Sequence, residues 1–199
     1  MTRDDVDLIE RKVAWQGYYR MDVYRLRYRR FDGGWSEVIE REVFERGRAA
    51  AVVPYDPARD EVVMIRQFRP GAYAAGMDPW LWEIVAGIID AGETPEGVVR
   101  REAREEAAIE ISDPIRICEY LVSPGGTSEI CTLFGARTDS SRAGGTHGLA
   151  SEHEDIHVEA MAFDRAMALL ADDRLNNAKT IIGLQWLALN RPALRKRWS

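Results

Sequence analysis

Three glutamates in one short segment have the spacing of a site for a metal cation. Glu102, Glu105 and Glu106 fall within an arc of about 100° if the segment is helical. Neighbouring carboxylates on a helix repel each other by a few tenths of a kcal/mol per pair. The cluster is therefore either a solvated acidic face, partly offset by Arg101, or a set of oxygen ligands for a hard cation such as Mg²⁺ or Mn²⁺.

The residues before this cluster favour the cation site. Residues 94–96, Thr-Pro-Glu, are typical of a helix start, because threonine caps the helix, proline fits its first turn and an acid faces the positive end of its dipole. The preceding loop contains Gly87 and Gly92, which permit unusual backbone angles, and it ends in Glu93. Loop carbonyl and carboxylate oxygens can therefore meet the carboxylates of a helix predicted over 95–108.

The N-terminal part of the chain has the pattern of a β-hairpin. Tyr24, Leu26 and Tyr28 alternate with arginines, which places the apolar side chains on one face of a strand. Residues 32–34, Asp-Gly-Gly, supply a turn, and residues 35–44 look like the returning strand. So small a sheet is marginally stable alone. We therefore expect it to pack on another domain or on another subunit.

The remaining elements follow an order that is typical of an α+β protein. Strands are predicted over 49–55, 61–69, 81–86, 115–122, 130–136 and 156–163, and helices over 95–108, 164–171 and 177–190. Loops are predicted over 70–79, 87–93 and 139–155. Strands that follow one another through short turns, with helices grouped between them, argue against a repeating parallel β-α-β fold.

The composition narrows the class of function. The chain has 199 residues, enough for one domain with a small appendage, and its formal net charge is −6. An acidic chain is a poor general binder of nucleic acids or anionic membranes. Its two cysteines, Cys118 and Cys131, lack metal-ligand spacing, and no apolar run reaches the roughly 20 residues that span a bilayer. The charged N-terminus is unlike a signal peptide, so we expect a cytoplasmic protein.

The glutamate segment resembles a Nudix box, G-x5-E-x7-R-E-U-x-E-E-x-G-U, where U is apolar. The match runs from Gly87 to Ile109 and fails only at Ala108, where the family has glycine at the turn that ends the helix. The resemblance implies an α+β protein whose Nudix α/β/α sandwich occupies 48–199 and whose small antiparallel β domain occupies 1–47. It also implies hydrolysis of a nucleoside diphosphate linked to another group.

The resemblance assigns roles to the residues of this segment. It implies metal binding by the carboxylates of Glu102, Glu105 and Glu106 and by the backbone carbonyl of Ala86, with Mg²⁺, or Mn²⁺ in its place, as the cofactor. Glu102 and Glu106 are the main ligands and thereby catalytic residues, because the metals neutralise the pyrophosphate and lower the pKa of a bound water. Arg101 and Glu93 are then expected to hold the loop against the helix.

Further similarities extend over nearly the whole chain and point to the bacterial ADP-ribose pyrophosphatases of this family. Residues 123–129 read Ser-Pro-Gly-Gly-Thr-Ser-Glu, and Pro124 lies sixteen positions after Ala108, where that subfamily carries proline. The Arg-Gly pair at 46–47 and the Arg-Gln-Phe-Arg segment at 66–69 are also similar. The resemblance implies conversion of ADP-ribose to AMP and ribose 5-phosphate by a homodimer that exchanges its N-terminal sheets.

The same resemblance implies a set of substrate-binding residues. Tyr18 would stack on adenine, Arg69 and the Arg41 of the other subunit would contact the phosphates or the adenine region, Glu129 would bind near the terminal ribose, and Ser123 and Gly125 would line the substrate. The structural alternatives are an ordinary sheet aromatic for Tyr18 and surface ion pairs for the two arginines.

The polar segment 139–155 carries the candidate general base. All three histidines lie between His147 and His157, but their spacing matches no usual set of zinc ligands. By resemblance, Glu152 aligns with the glutamate that acts as the base in the subfamily, and Glu154 is the second candidate. A carboxylate can do this work because metals make the bound water more acidic.

Other functions stay open at this point. One is a nucleotide-sugar pyrophosphatase such as a GDP-mannose hydrolase, since relatives of that kind also carry a Ser-Pro-Gly-Gly segment. Another is a non-catalytic Nudix-like regulator, against which the complete set Glu102, Glu105 and Glu106 speaks. Hydrolysis of RNA caps or diadenosine polyphosphates agrees poorly with the acidic balance and with Pro124.

Overall fold

The computed structural model describes residues 1–198, and they form two compact units. The first unit contains Met1–Gly47 together with Leu121–Ile130, and the second contains Arg48–Tyr120 and the chain from Cys131 onward.

The first unit is built on an antiparallel sheet with the strand order β1–β2–β3. These strands are β1 (Val6–Gln16), β2 (Arg20–Tyr28) and β3 (Ile39–Glu45). The predicted hairpin is β2 and β3, which pair with Leu26 opposite Ile39, and β1 adds a third strand on the other side of β2. The amide of Phe44 donates to Gly126 O at 2.9 Å, which ties the Ser-Pro-Gly-Gly segment to β3.

The second unit contains one sheet and helices on both of its faces. Its strands are β4 (Arg48–Asp56), β5 (Glu61–Phe68), β6 (Trp80–Glu83), β7 (Val85–Ile88), β8 (Ile111–Leu121), β9 (Ile130–Thr138), β10 (Gly144–His147) and β11 (Ile156–Ala162). Its helices are α1 (Pro70–Ala74), α2 (Pro95–Ala107), α3 (Phe163–Ala171) and α4 (Ala178–Trp198). The main sheet order is β10–β11–β5–β4–β9–β8, with β6 paired to β5 and β7 paired to β4.

Alternate residues of strand β4 supply the two sides of this sheet. Ala51, Val53 and Tyr55 are buried in a core shared with α3 and α4. Ala50 and Val52 are buried in a second core shared with α2. A strand that is covered on both faces is apolar at every position, which explains the continuous apolar run of β4. The predicted α+β class with an α/β/α core is confirmed. None of the helices in residues 1–198 is long and apolar enough to cross a membrane.

Several loops and boundaries differ from the sequence-based expectation. The predicted loop 70–79 contains the short helix α1, which begins at Pro70. The predicted loop 139–155 contains β10, which pairs with β11 although its glycines weaken the strand pattern. The predicted strand 81–86 is two strands, because the chain leaves β5 after Glu83 and pairs with β4 from Val85.

Helix α4 extends to Trp198 instead of ending near Asn190. Proline disfavours helical geometry in the residue before it, and Pro192 therefore argues for an earlier end. Tertiary contacts outweigh this preference. The side chains of Leu194 and Trp198 are buried in the core, and the indole Nε1 of Trp198 donates to Asp113 Oδ2 at 2.7 Å.

The end of helix α2 is strained at a position where the Nudix pattern has glycine. Ala108 caps the helix with φ 53° and ψ 33°, and its amide donates to Arg104 O at 3.0 Å. A left-handed conformation costs a residue with a Cβ about 1–2 kcal/mol. We expect Ala108→Gly to raise the free energy of unfolding by about 0.5–1 kcal/mol, after the larger entropy of the unfolded glycine chain is subtracted. Chemical denaturation measures this change.

Ala107→Gly is the matched control for this prediction. Ala107 is buried in the right-handed last turn of α2, so glycine there should destabilise the protein by about 1 kcal/mol. A loss of stability in both variants would contradict the assignment of strain to Ala108.

An ion pair joins α4 to the turn between β4 and β5. The guanidinium Nε of Arg191 donates to Asp60 Oδ1 at 2.8 Å, and Tyr55 Oη donates to the same oxygen at 2.6 Å. The Arg191 hydrogen bonds hold the pKa of Asp60 below its ordinary value. A lowered pKa stabilises the fold above the unfolded pKa, and this contribution is lost as the pH falls through the folded pKa.

We therefore expect the wild type to be more stable than Asp60→Asn at pH 7, and this difference to shrink as the pH falls from about 5 to about 2. Urea denaturation of both proteins across this range measures the difference. A gap in stability that does not change with pH would contradict the role of the Asp60 charge.

Candidate active site

Strand β7 and helix α2 bring the Nudix-box residues together in the second unit. Thr94 Oγ1 accepts a hydrogen bond from the amide of Gly97 at 3.1 Å, which fixes the start of the helix. The amide of Ala86 in β7 donates to Glu106 Oε2 at 3.0 Å. A Cβ placed on Gly87 would overlap the Glu102 carboxylate. Glycine is therefore needed at 87 for the close approach of β7 to α2.

Arg101 connects the loop before α2 to the glutamates of the helix. Its Nε donates to Glu93 Oε1 at 3.0 Å, and its Nη1 donates to Glu102 Oε1 and Glu105 Oε2, each at 2.8 Å. The other oxygen of Glu93 accepts from the amide of Asp90 at 3.1 Å. The expectation that Arg101 and Glu93 hold the loop against the helix is confirmed by these contacts.

Two of the predicted metal ligands, the half-buried Glu102 and the buried Glu106, have raised pKa values. Burial raises the pKa of Glu102 to about 7, against the opposing charge of Arg101. Burial also raises the pKa of Glu106 to about 8, and the charges of Glu102 and Glu154 add to this effect while the Ala86 amide opposes it. A cation beside these groups would favour their ionised forms.

The donor set at this place fits a hard divalent cation. The side chains of Glu102, Glu105 and Glu106 and the carbonyl of Ala86 offer oxygen atoms only, which suits Mg²⁺ or Mn²⁺ better than a softer metal. Within residues 1–198, no three His, Cys, Asp or Glu side chains form a ready-made metal cage, and the guanidinium of Arg101 lies between Glu102 and Glu105.

A buried ionic network lies beside Glu106. Arg69 donates from Nε and Nη2 to Glu83 Oε2 at 2.9 and 2.7 Å, and Lys179 Nζ lies 3.0 Å from Glu83 Oε1. Burial alone would raise the pKa of Glu83, but the charges of Lys179 and Arg69 hold it below its ordinary value. The amide Nε2 of Gln67 lies 3.3 Å from Glu83 Oε2 and 3.5 Å from Glu106 Oε1. The ion pair of Arg69 with Glu83 is therefore not a surface ion pair, because Glu83 is buried.

The two candidate bases lie at the end of the segment that follows β10. Glu152 closes a 3₁₀ turn, Ala150–Glu152, and is exposed. Glu154 is half-buried, and its Oε2 accepts from the amide of Leu149 at 3.1 Å. The charge of Glu154 contributes to the raised pKa values of Glu102 and Glu106. Glu154 thus interacts with the glutamates of α2, whereas Glu152 faces solvent.

The other predicted substrate-binding residues lie in the first unit. Tyr18 is exposed in the turn between β1 and β2, and its ring contacts that of Tyr19 edge to face at 4.8 Å. Arg41 is exposed on β3 and donates from Nη1 to Glu40 O at 2.8 Å. Glu129 forms an ion pair with Arg46 at 3.0 Å. Ser123 and Gly125 are exposed in one tight turn, in which the amide of Gly126 donates to Ser123 O at 3.1 Å.

The sequence analysis missed the network around Glu83. Gln67 and Glu83 are polar residues near the ends of strands β5 and β6, and both are buried. Lys179 is one of only three lysines among 27 basic residues. The polar residues Gln67 and Glu83, each following a mostly apolar segment, were a usable signal, because buried polar groups need partners. The identity of those partners could not be read from the sequence, since Lys179 lies on the last helix.

Comparisons with known proteins agree with this geometry. The NUDIX domain pattern matches residues 45–184. The chain is 43% identical over 197 residues to the ADP-ribose pyrophosphatase of Escherichia coli (strain K12), covering 99% of this chain and 94% of that protein. It is 36% identical over 189 residues to the GDP-mannose pyrophosphatase of Cronobacter sakazakii, covering 93% and 96%.

A solved structure also shares the fold. A crystal structure of an ADP compounds hydrolase superposes with a TM-score of 0.71 at 20% identity, covering 97% of this chain and 96% of that one. The resemblance drawn from residues 87–109 is thereby confirmed at the level of the family. The chain belongs to the Nudix family.

Proposed function

We propose that the protein is a divalent-cation-dependent hydrolase that cleaves the pyrophosphate bond of ADP-ribose to give AMP and ribose 5-phosphate. The observation that carries this proposal is the close approach of β7 to α2, which brings Ala86 to Glu106 and Gly87 to Glu102, with Arg69 in a network beside them. The choice of ADP-ribose is supported by the E. coli relative, which matches nearly the whole chain.

The metal site consists of four groups of this chain. We assign the carbonyl of Ala86 and the carboxylates of Glu102, Glu105 and Glu106 as ligands of Mg²⁺, with Mn²⁺ as a substitute. When bound, the cation neutralises the pyrophosphate, weakens the bond to be broken and makes a water more acidic. An acidic protein can bind a polyanion in this way because divalent ions reverse the sign of the local charge.

The chain's own residues do the remaining work. Arg69 binds a phosphate of the substrate, and Glu152 takes the proton from the water that attacks phosphorus, with Glu154 as the other candidate base. The leaving group is a phosphate monoester, so no strong general acid is needed. Tyr18, Arg41, Glu129, Ser123 and Gly125 belong to the proposal as substrate-binding residues of the first unit.

We also propose a cytoplasmic homodimer that exchanges its N-terminal sheets, with the division into 1–47 and 48–199 that this requires. The support is the apolar surface of β1, where Leu8, Val13 and Trp15 are each more than half exposed. Apolar surface of this kind marks an interaction site more often than a free face. Light scattering of the wild type measures its mass. A monomer at micromolar concentration would contradict this part of the proposal.

A nucleotide-sugar pyrophosphatase that acts on GDP-mannose is the second candidate function. It is supported by the C. sakazakii relative, which is also similar over most of both chains. A non-catalytic regulator is disfavoured by the full set of glutamates on α2.

A substrate panel tests the proposal against both alternatives. ADP-ribose, GDP-mannose, NADH and diadenosine polyphosphates are each incubated with the wild type and Mg²⁺, and the products are identified by chromatography. We expect kcat/KM to be highest for ADP-ribose, and activity to disappear with EDTA. Equal rates on guanine and adenine substrates would contradict the named substrate, and no hydrolysis of any compound would support the regulator.

A further inference from the structure

A lysine occupies the first turn of α4, where the helix dipole disfavours it. Lys179 is the second residue of Ala178–Trp198, and its side chain is 18% exposed. The N-terminal end of a helix carries partial positive charge, so a cation there is unfavourable unless something compensates it. The compensating group is Glu83, whose Oε1 lies 3.0 Å from Lys179 Nζ.

The Glu83 carboxylate is divided between two cations. Its Oε1 faces Lys179, while its Oε2 accepts from Nε and Nη2 of Arg69. The three charged groups together therefore carry a net charge of +1 around a buried carboxylate. Without Lys179, the pair of Glu83 and Arg69 would be neutral, and its electrostatic attraction for an anionic ligand would be weak.

The contacts also leave one part of Arg69 outside the pair. Both guanidinium bonds to Glu83 use Nε and Nη2, so Nη1 lies outside this contact, and the side chain is 38% exposed. A guanidinium that is held on one edge presents its other edge in a fixed orientation. Gln67, which lies between Glu83 and Glu106, connects this orientation to the metal site.

The backbone on either side of Glu83 is held by the first turn of α4 and by the residue before it. Asn177 Nδ2 donates to Trp82 O at 2.9 Å, and Thr180 Oγ1 accepts from the amide of Ile84 at 3.1 Å. Glu83 thus has a fixed backbone between these two contacts. Lys179 therefore meets a carboxylate whose backbone is held on both sides.

We propose that Lys179 is a positioning residue for Arg69. Lys179 neutralises part of the Glu83 carboxylate, so that the Arg69 guanidinium presents net positive charge and a hydrogen-bond donor to a phosphate of the substrate. This inference rests on the proposed function, in which Arg69 binds that phosphate. Lys179 itself touches neither the substrate nor the metal.

Binding of ADP-ribose in EDTA tests the inference without turnover. Lys179→Gln keeps a hydrogen-bond donor but removes the charge, and we expect it to weaken binding about tenfold by calorimetry. Lys179→Arg keeps the charge and should bind within about threefold of the wild type. In a Glu83→Gln background, Lys179→Gln should change affinity less than about twofold, because the lysine acts through Glu83.

Several results would overturn the inference. One is wild-type affinity for ADP-ribose in Lys179→Gln. Another is equal weakening of binding in Lys179→Arg and Lys179→Gln. A third is a tenfold weakening by Lys179→Gln in the Glu83→Gln background as well. Thermal unfolding of each variant is measured first. If the single variant Lys179→Gln lacks a cooperative unfolding transition, the inference is judged from two other measurements. These are the affinity of Lys179→Arg and the effect of Lys179→Gln in the Glu83→Gln background. A tenfold weakening of binding in either one contradicts the inference.

Failure of the inference differs from failure of the proposed function. A wild type that hydrolyses ADP-ribose with Mg²⁺ while Lys179→Gln binds as tightly as the wild type overturns the inference alone. A wild type that binds ADP-ribose in EDTA but does not hydrolyse it with Mg²⁺ overturns the proposed reaction, and the binding data still judge the role of Lys179.

Discussion

Glu106→Gln is expected to lower kcat by about 1,000-fold or more, equivalent to about 4 kcal/mol of lost transition-state stabilisation, while the fold stays intact. Glu106 is 2% exposed, and the amide oxygen of glutamine can still accept from Ala86. The substitution removes the charge that a divalent cation needs and leaves shape and hydrogen bonding nearly unchanged. Steady-state kinetics with Mg²⁺, metal titration by calorimetry and thermal unfolding measure these three properties separately.

Glu102→Gln should behave in the same way, because Glu102 is the other main ligand in the proposal. Glu110→Gln is the matched control, since Glu110 follows the same helix, is exposed and pairs with Arg104 at the surface. We expect activity and stability within about twofold and 0.5 kcal/mol of the wild type in the control. Near-wild-type activity with Mg²⁺ in both Glu102→Gln and Glu106→Gln would disprove the metal assignment.

Glu152→Gln is expected to lower kcat by about 100- to 10,000-fold and to leave KM within about threefold. A general base acts in the transition state and contributes little to the binding of the ground state, so its loss appears in kcat. The exposed position of Glu152 on its 3₁₀ turn means that stability should not change. Kinetics at saturating Mg²⁺ measure both constants.

Glu154→Gln is the companion variant for this test. Glu154 accepts a bond from the Leu149 amide, and its charge acts on Glu102 and Glu106. We expect its loss to alter the Mg²⁺ concentration at half-maximal rate more than the rate at saturation. If Glu154→Gln instead causes the large loss of kcat, or if the effect of Glu152→Gln is confined to KM, Glu152 is not the base.

Local spacing was enough to predict the helix that carries the candidate metal ligands. The helix start at Thr94, the common face of Glu102, Glu105 and Glu106 on α2 and the end of the helix at Ala108 all follow from residues fewer than twenty positions apart. Neighbours along a helix are set by its geometry, so a pattern in the sequence becomes a pattern in space. The same holds for the alternating strands β2 and β3, whose pairing was expected.

Contacts between distant segments could not be predicted in this way. Thr180 meets the amide of Ile84 across 96 positions, and Lys179 meets Glu83 in the same turn. Nothing local requires a lysine at 179, and the helix dipole argues against it. The division of the strand 81–86 into β6 and β7 has the same origin, because the amide of Ile84 bonds to Thr180 instead of to a neighbouring strand.

The bond between Ile84 and Thr180 has a consequence for the nascent chain. A ribosome adds about 5–20 residues per second, so Thr180 is made about 5–20 s after Ile84. For most of this interval the whole glutamate segment exists, but the turn that holds its neighbouring strand does not. The growing polypeptide can therefore complete the strand beside the glutamate segment only when synthesis has reached the first turn of α4.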